Sequence, residues 1–315
     1  LNENQINLER ELSIQSLRRQ KENPFYLAFD GWRSLAYGEG PYGHDPLGLI
    51  EDLRDIGKEE LSTLSKSLLI TKKILVITGA FNSKLREKIY EMEPFDSLLK
   101  NDSTNKDLIT ISDKDLNQFN ETCTIRLQPV ETSQVVIIAG QATVPHGHKD
   151  SLALHLLNCH LGSGMSSRLF LELRERYGVA YDVGAHYPTK ELKAPFIIHA
   201  STSEEKSIQT LELLKKCWED ILEIPISKQE LDLAKAKYRS QIAHRSQTVG
   251  QIAERKAHLL GLNLPSNQDK LNLIKIKSIT SEDLRIVAQK YLKRPLLSLC
   301  GPEKSISKLV KIWDY

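Results

Sequence analysis

Between Ser151 and Leu161 the chain is almost unbroken apolar sequence, and it then stops at Gly162-Ser163-Gly164-Met165. Beyond that loop the sequence takes up helical spacing. At 100° per residue Leu169, Phe170, Leu173 and Tyr177 share one face, while Arg168, Glu172, Glu175 and Arg176 form the opposite arc. Within that arc Arg168–Glu172 and Glu172–Arg176 stand four apart, the spacing for weak ion pairing. Arg174 breaks the pattern, because it projects among Phe170, Leu171 and Tyr177. Such a side chain either lays its stem on apolar surface with its head in water or holds a cation over a groove. Spacing leaves both open.

The same patterns divide the rest of the chain. Helices are predicted over about 4–20 and 25–37, separated by Asn23-Pro24. Gly38–Gly48 is a loop dense in breakers. A helix over about 58–68, an apolar strand over Lys73–Phe81 and a helix near 83–92 follow. Residues 95–121 are polar, lack a period and are expected to be a linker. Strands are predicted at about 123–130, 134–142, 179–187 and 195–201, then four helices between 204 and 292 and a last strand, LLSLCGP. Ser227 and Glu230 form a capping box. Gly162 is expected to close its helix in a left-handed cap, with Ser166 or Ser167 capping the next.

Two stretches repeat. Ile56–Leu61, IGKEEL, resembles Ile279–Leu284, ITSEDL, and each leads through a helix to an apolar strand ending in Gly. Gly38 and Gly261, Ile56 and Ile279, and Glu60 and Asp283 are each 223 positions apart; Gly79 and Gly301 are 222 apart. A near-constant offset over four landmarks implies a duplication. The second copy starts near residue 122, so the first would start roughly a hundred residues before Leu1. The chain is therefore expected to hold one complete repeat and the back part of its partner.

Composition narrows the function. At 315 residues there is room for about two domains. A net charge of +2 is too small to imply a nucleic-acid or anionic-membrane partner. No apolar run approaches the roughly 20 residues of a membrane-spanning helix. Cys123, Cys159, Cys217 and Cys300 are scattered, which suits buried thiols in a reducing, cytoplasmic compartment, with paired disulfides as the alternative.

The candidate chemistry is thin. GSGMSS lacks the Lys of a Walker loop and the third Gly of a dinucleotide fingerprint, and it follows a helix rather than a strand. His146, His148, His155 and His160 crowd together, but His155 and His160 point about 140° apart on a helix and no acid follows at ligand spacing. No H-E-x-x-H, H-x-x-E-H or G-x-S-x-G motif occurs.

LGSGMSSRLFLELRERYGVAY resembles the C-terminal-half motif of the pitrilysin–insulinase family of inverted-motif zinc metallopeptidases, which includes mitochondrial processing peptidase. Residues 18–61, RRQKENPFYLAFDGWRSLAYGEGPYGHDPLGLIEDLRDIGKEEL, look like the back of that family's N-terminal half, and ITSEDLRIVAQKYL like its counterpart in the second half. The resemblance implies an α/β (α+β) architecture of two homologous halves, each an antiparallel sheet packed with helices, facing each other across a cavity. Residues 1–94 would be the back of the first half, 95–121 the linker and 122–315 the complete second half.

The family's chemistry needs H-x-x-E-H on a helix of the first half, with two His on zinc and the Glu as base for the attacking water. The third ligand in active members is a Glu on the helix matching residues 4–20, with a second Glu seven positions before it. Alignment on ENP puts the second Glu at Glu9 and the ligand at Ser16, and a neutral hydroxyl is a poor zinc ligand. A slip in that alignment would bring Glu9 or Glu11 to the ligand position instead. In active members an Arg and a Tyr seven apart reach the substrate near the metal; Arg174 and Tyr181 match. Gly162 and Gly164 fall in the family's glycine-rich loop, a substrate-handling element that is short here. The resemblance thus implies a non-catalytic member that binds peptide or unfolded polypeptide beside a homologous zinc-bearing subunit, with no metal of its own. The alternatives are the C-terminal portion of an active zinc endopeptidase, or a structural subunit like the processing-peptidase relatives built into respiratory complexes.

Overall fold

The computed structural model describes residues 2–70, 73–82, 84–91 and 123–313. Five helices come first: α1 (Glu3–Lys21), α2 (Pro24–Tyr37), α3 (Ile50–Asp55), α4 (Lys58–Ile70) and α5 (Lys84–Tyr90). Then come β1 (Ile125–Pro129), β2 (Gln134–Ala142), α6 (Ser151–Gly162), a π-helix (Phe170–Arg176), β3 (Asp182–His186) and β4 (Pro195–Ser203). The chain continues through α7 (Ser207–Glu223), α8 (Lys228–His244), α9 (Val249–Gly261), α10 (Gln268–Lys275) and α11 (Ser281–Tyr291) to β5 (Leu296–Gly301) and α12 (Glu303–Val310).

The five strands make one sheet in the order β1-β5-β2-β4-β3. Its centre is apolar on both faces, since Val135 to Ile138 of β2 are all buried, as expected of strands covered on both sides. One face carries the main core, where Leu154 and Leu157 of α6, Leu214 and Trp218 of α7 and Leu284 of α11 meet Ile137, Phe196 and Leu299. The other face is covered by α2, whose Ala28 and Trp32 pack on Val136, Ile138, Ile197 and Cys300. Trp32 is fully buried and its Nε1–H donates to the Gly140 carbonyl at 3.3 Å. Gly31 lets the helix approach, because a Cβ there would lie 2.7 Å from Ser298 Oγ. Thus a helix from the first ninety residues completes the core of the second part.

Several expectations change. The sheet is mixed rather than antiparallel, because β1 runs parallel to β5 while the other pairings are antiparallel. Lys73–Phe81 joins no sheet among the described residues. A strand needs a neighbour to satisfy its backbone, and both sides of β5, the strand it resembles, are taken by β1 and β2. Its apolar residues are left partly open, with Leu75 and Phe81 45% and 54% exposed. Five helices, not four, lie between 204 and 292, since the last two are separated by the Lys277–Thr280 turn. The predicted linker over 95–121 lies outside the described residues. All four cysteines are free; Cys159, Cys217 and Cys300 are buried, but Cys123 is exposed.

Helix order follows the 223-residue offset. Shifted by 223, α1 falls on 226–244 against α8, α2 on 247–260 against α9, and α4 on 281–293 against α11. Lys73–Phe81 falls on 296–304, over β5. No helix among the described residues is long and apolar enough to cross a membrane.

Candidate functional site

The π-helix and the turn that leads from it to β3 carry the two residues singled out from sequence, Arg174 in the helix and Tyr181 just before the strand. Tyr177 N–H bonds the Glu172 carbonyl five residues back, the signature of the π turn, and Val179 N–H bonds Leu173 O at 2.8 Å. Gly178 sits between them at φ +59, the left-handed closing residue. The wider π turn alters the expected face: Leu169 and Leu173 are fully buried, but Tyr177 swings out to 44% exposure. The polar arc forms as expected, with Arg168 Nη2 3.9 Å and Arg176 Nη1 3.5 Å from Glu172 and a further Arg168–Asp220 pair at 2.9 Å.

Arg174 lies outside that network. Its guanidinium stacks on Phe170, 4.9 Å from the ring centroid, and makes no ion pair among the described residues. Tyr181 is 60% exposed, and it is tied down through its backbone, where its N–H donates to Ser201 O at 2.8 Å. Tyr181 leads directly into β3, which pairs only with β4 and so leaves one edge of the sheet free among the described residues.

Gly162 and Gly164 have different tasks. Gly162 is the last residue of α6, not left-handed, and a Cβ on it would lie 2.2 Å from Ala185 N. It is glycine because the helix end presses on β3. Gly164 holds the left-handed conformation, at φ +72, with open space around it. The expected left-handed cap therefore belongs two residues later, and no serine side chain caps the following helix.

On α1, Glu9 and Ser16 are both exposed, while Ile14 and Leu17 are buried. Ser16 Oγ–H donates to the Leu12 carbonyl at 2.8 Å, so it brings no anionic donor to a metal. Among the described residues no group of three or more His, Cys, Asp or Glu is placed to hold a metal ion. Ser16 therefore does not fit the role of a zinc ligand.

Sequence spacing missed a polar cavity of about 280 Å³ where α6, α8, α9 and α10 meet the end of β3. Tyr238, Gln241, Ile242 and Arg245 contribute one face of α8, spaced i, i+3, i+4, i+7. His146 Nδ1 and His155 Nε2 meet at 3.1 Å, whereas His160 is buried elsewhere. Among the described residues the clustered histidines thus give a pair with no third ligand. Burial, then the charge of Arg255, pushes His146 down to about 4; burial, then His146, holds His155 well below its ordinary value. Both are neutral at pH 7. Arg255 grips Asp269 with two hydrogen bonds of 2.8 and 2.7 Å. Burial opposes ionisation of Asp269, but those bonds and that charge outweigh it and hold its carboxyl low. The i, i+3, i+4, i+7 stripe on residues 238–245 was the signal available in the sequence.

Comparisons with known proteins agree on the kind of molecule. The model of the peptidase M16 inactive domain matches residues 74–238, just over half of the chain. An uncharacterized zinc protease of Rickettsia felis is 27% identical over 263 residues, 79% of this chain and 60% of that protein. One from Streptomyces coelicolor is 29% identical over 184 residues, 57% of this chain and 40% of that protein. The chain thus spans about half the length of these two relatives. Among solved structures, a peptidase M16 inactive domain from Pseudomonas fluorescens matches with a TM-score of 0.77 at 21% identity, covering 96% of this chain and 71% of that one. A chain of complex III2 from Candida albicans matches at 0.70 and 14% identity, covering 97% and 72%. These structural likenesses establish the fold.

Proposed function

Because the chain belongs to the peptidase M16 inactive-domain family, we propose that it is a non-catalytic subunit that binds peptide and supports proteolysis by a homologous, zinc-bearing partner. The observation that carries this is the state of α1 beside that of the β3 entrance. Where the family resemblance places a zinc carboxylate stands Ser16, bonded to Leu12, while Arg174, stacked on Phe170 and without an ion pair among the described residues, and Tyr181 are both exposed. A guanidinium and a phenol O–H are both hydrogen-bond donors suited to a substrate carbonyl and to the oxyanion that develops from it. The free edge of β3 beside them offers backbone groups to an extended chain.

On this reading residues 1–94 are the back of a first half, 95–121 a linker and 122–315 a second half homologous to the first. The common order of helices under the 223-residue offset supports that duplication. Exposed Leu8, Leu12, Leu64, Leu75 and Phe81 supply apolar surface for the rest of a two-half assembly.

The experiment is reconstitution. A zinc-bearing homologue from the same genome is mixed with this chain, and complex mass and cleavage of a fluorogenic peptide are followed. A complex with turnover well above that of the homologue alone is expected. A complex without added turnover would favour a structural subunit. Peptide cleavage by the chain alone, dependent on zinc, would favour an endopeptidase.

A further inference from the structure

Arg174 and Tyr181 face each other across a turn that is held from behind. Val179 is buried, and its carbonyl accepts from Thr202 Oγ1–H at 2.5 Å. Thr210 Oγ1 stands 3.1 Å from Thr202 Oγ1 and 3.3 Å from the same carbonyl. Thr202, on β4, and Thr210, on α7, are both fully buried, beside Ala200 and Leu211 of the main core. Valine has nearly the same shape without the hydroxyl, so the carbonyl explains the threonine pair: a buried carbonyl left without a donor is costly. The preceding carbonyl, that of Gly178, accepts from Lys206 Nζ at 2.9 Å, just where α7 begins. Val179 N–H to Leu173 O and Tyr181 N–H to Ser201 O complete the set, both at 2.8 Å. The backbone between Arg174 and Tyr181 is thus fastened to the π-helix on one side and to the β4–α7 junction on the other.

We propose that Thr202, backed by Thr210, and Lys206 are positioning residues for the peptide site: by holding the Val179 and Gly178 carbonyls they fix where the Tyr181 phenol stands relative to the Arg174 guanidinium. The two threonines are fully buried and touch no substrate; they act through the turn. Two donors that must meet one substrate carbonyl need their spacing kept, since a misplacement of about 1 Å can cost on the order of a hundredfold in rate. Gly178 shows where the turn would otherwise give. It is a left-handed glycine, at φ +59, the residue type with the widest backbone freedom, and the side-chain bonds fall on it and on its successor. This role rests on the peptide-binding reading of Arg174 and Tyr181.

The test uses the full chain as Lys206→Met, Thr202→Val and Thr202→Ser. Lys206 is exposed, so its variant should fold even if loss of the buried hydroxyl unfolds Thr202→Val. In the chain alone, amide hydrogen exchange over 177–182 should quicken about threefold in Lys206→Met and about tenfold or more in Thr202→Val, the scale of one exposed and one buried hydrogen bond. Exchange in β2 should not change. Thr202→Ser, which keeps the hydroxyl, should exchange like the unaltered chain. Beside a zinc-bearing homologue, the variants that loosen the turn should lose about fivefold or more of the stimulated kcat at nearly unchanged KM, and Thr202→Ser should keep it. Unchanged exchange in the loosening variants, unchanged kcat where exchange has risen, or a Thr202→Ser loss as large as that of Thr202→Val would overturn the role. No stimulation by the unaltered chain would overturn the peptide-binding reading, and this role with it.

Discussion

Thr78 Oγ1–H donates to the carbonyl of Val249 at 2.8 Å, joining the extended segment 73–81 to the first residue of α9. Under the 223-residue offset this segment corresponds to β5, and α9 corresponds to α2. In the second part of the chain α2 lies on the sheet that contains β5. Each helix therefore meets the strand-like segment of the opposite part. Helices are thus exchanged between residues 2–91 and residues 123–313.

That exchange makes Trp32 a core residue of a sheet nearly a hundred positions away. Replacing it by Ala removes a fully buried aromatic from the face of β2 and should cost about 3–5 kcal/mol. Denaturant unfolding followed through the sheet's far-ultraviolet signal measures this. A cost below about 1 kcal/mol would mean that α2 does not dock there.

Acid should destabilise the protein before its carboxylates titrate. His146 and His160 are pushed down to about 4, and His155 well below 6.5, with burial the largest cause in each. The unfolded chain binds protons at these sites near 6.5 while the folded chain refuses them. Stability is thus full above about pH 6.5 and falls as pH drops toward 4. Three such groups give a slope of up to about 4 kcal/mol per pH unit. Unfolding midpoints at pH 7.5, 6 and 5 test it, and a flat profile over that range would contradict the neutral, buried state of these imidazoles.

The two loop glycines should respond differently to Ala. At Gly162 the added Cβ strikes the Ala185 backbone, which cannot rotate away, so about 3 kcal/mol or more is expected. At Gly164 the space is open and the cost is left-handed backbone alone, about 1–2 kcal/mol. Thermal melts of both variants decide the order, and a larger loss at Gly164 would reverse this assignment.

Much of the fold was legible in the sequence. The apolar run 151–161, the capping box at Ser227 and the β2 and β4 strands announce themselves through local pattern, and the structure forms each of them. What escaped depends on partners distant in the chain. Lys73–Phe81 has a strand's composition but no described strand beside it. The π turn at 170–176, marked by the bond from Tyr177 N–H to the Glu172 carbonyl, departs from the 100° spacing on which a helical reading of the sequence rests. The His146–His155 contact joins a loop to a helix face, so counting intervals between histidines could exclude a metal triad but not find the pair. In the candidate site, Arg174 stood out by pattern and by family resemblance and Tyr181 by family resemblance alone, whereas the cavity behind the 238–245 stripe forms only when α6 and α8 are brought side by side.

The most direct measurement is peptide turnover by a zinc-bearing homologue in the presence of this chain, compared with its Arg174→Ala/Tyr181→Phe variant at equal complex formation. Both side chains are exposed, so the variant should fold and assemble normally. If these residues contact substrate near a partner's metal, the stimulated turnover should fall by about tenfold or more, the scale of losing transition-state hydrogen bonds. Turnover that is unchanged by the double substitution, or that needs this chain no more than an unrelated protein, would contradict a peptide-binding subunit.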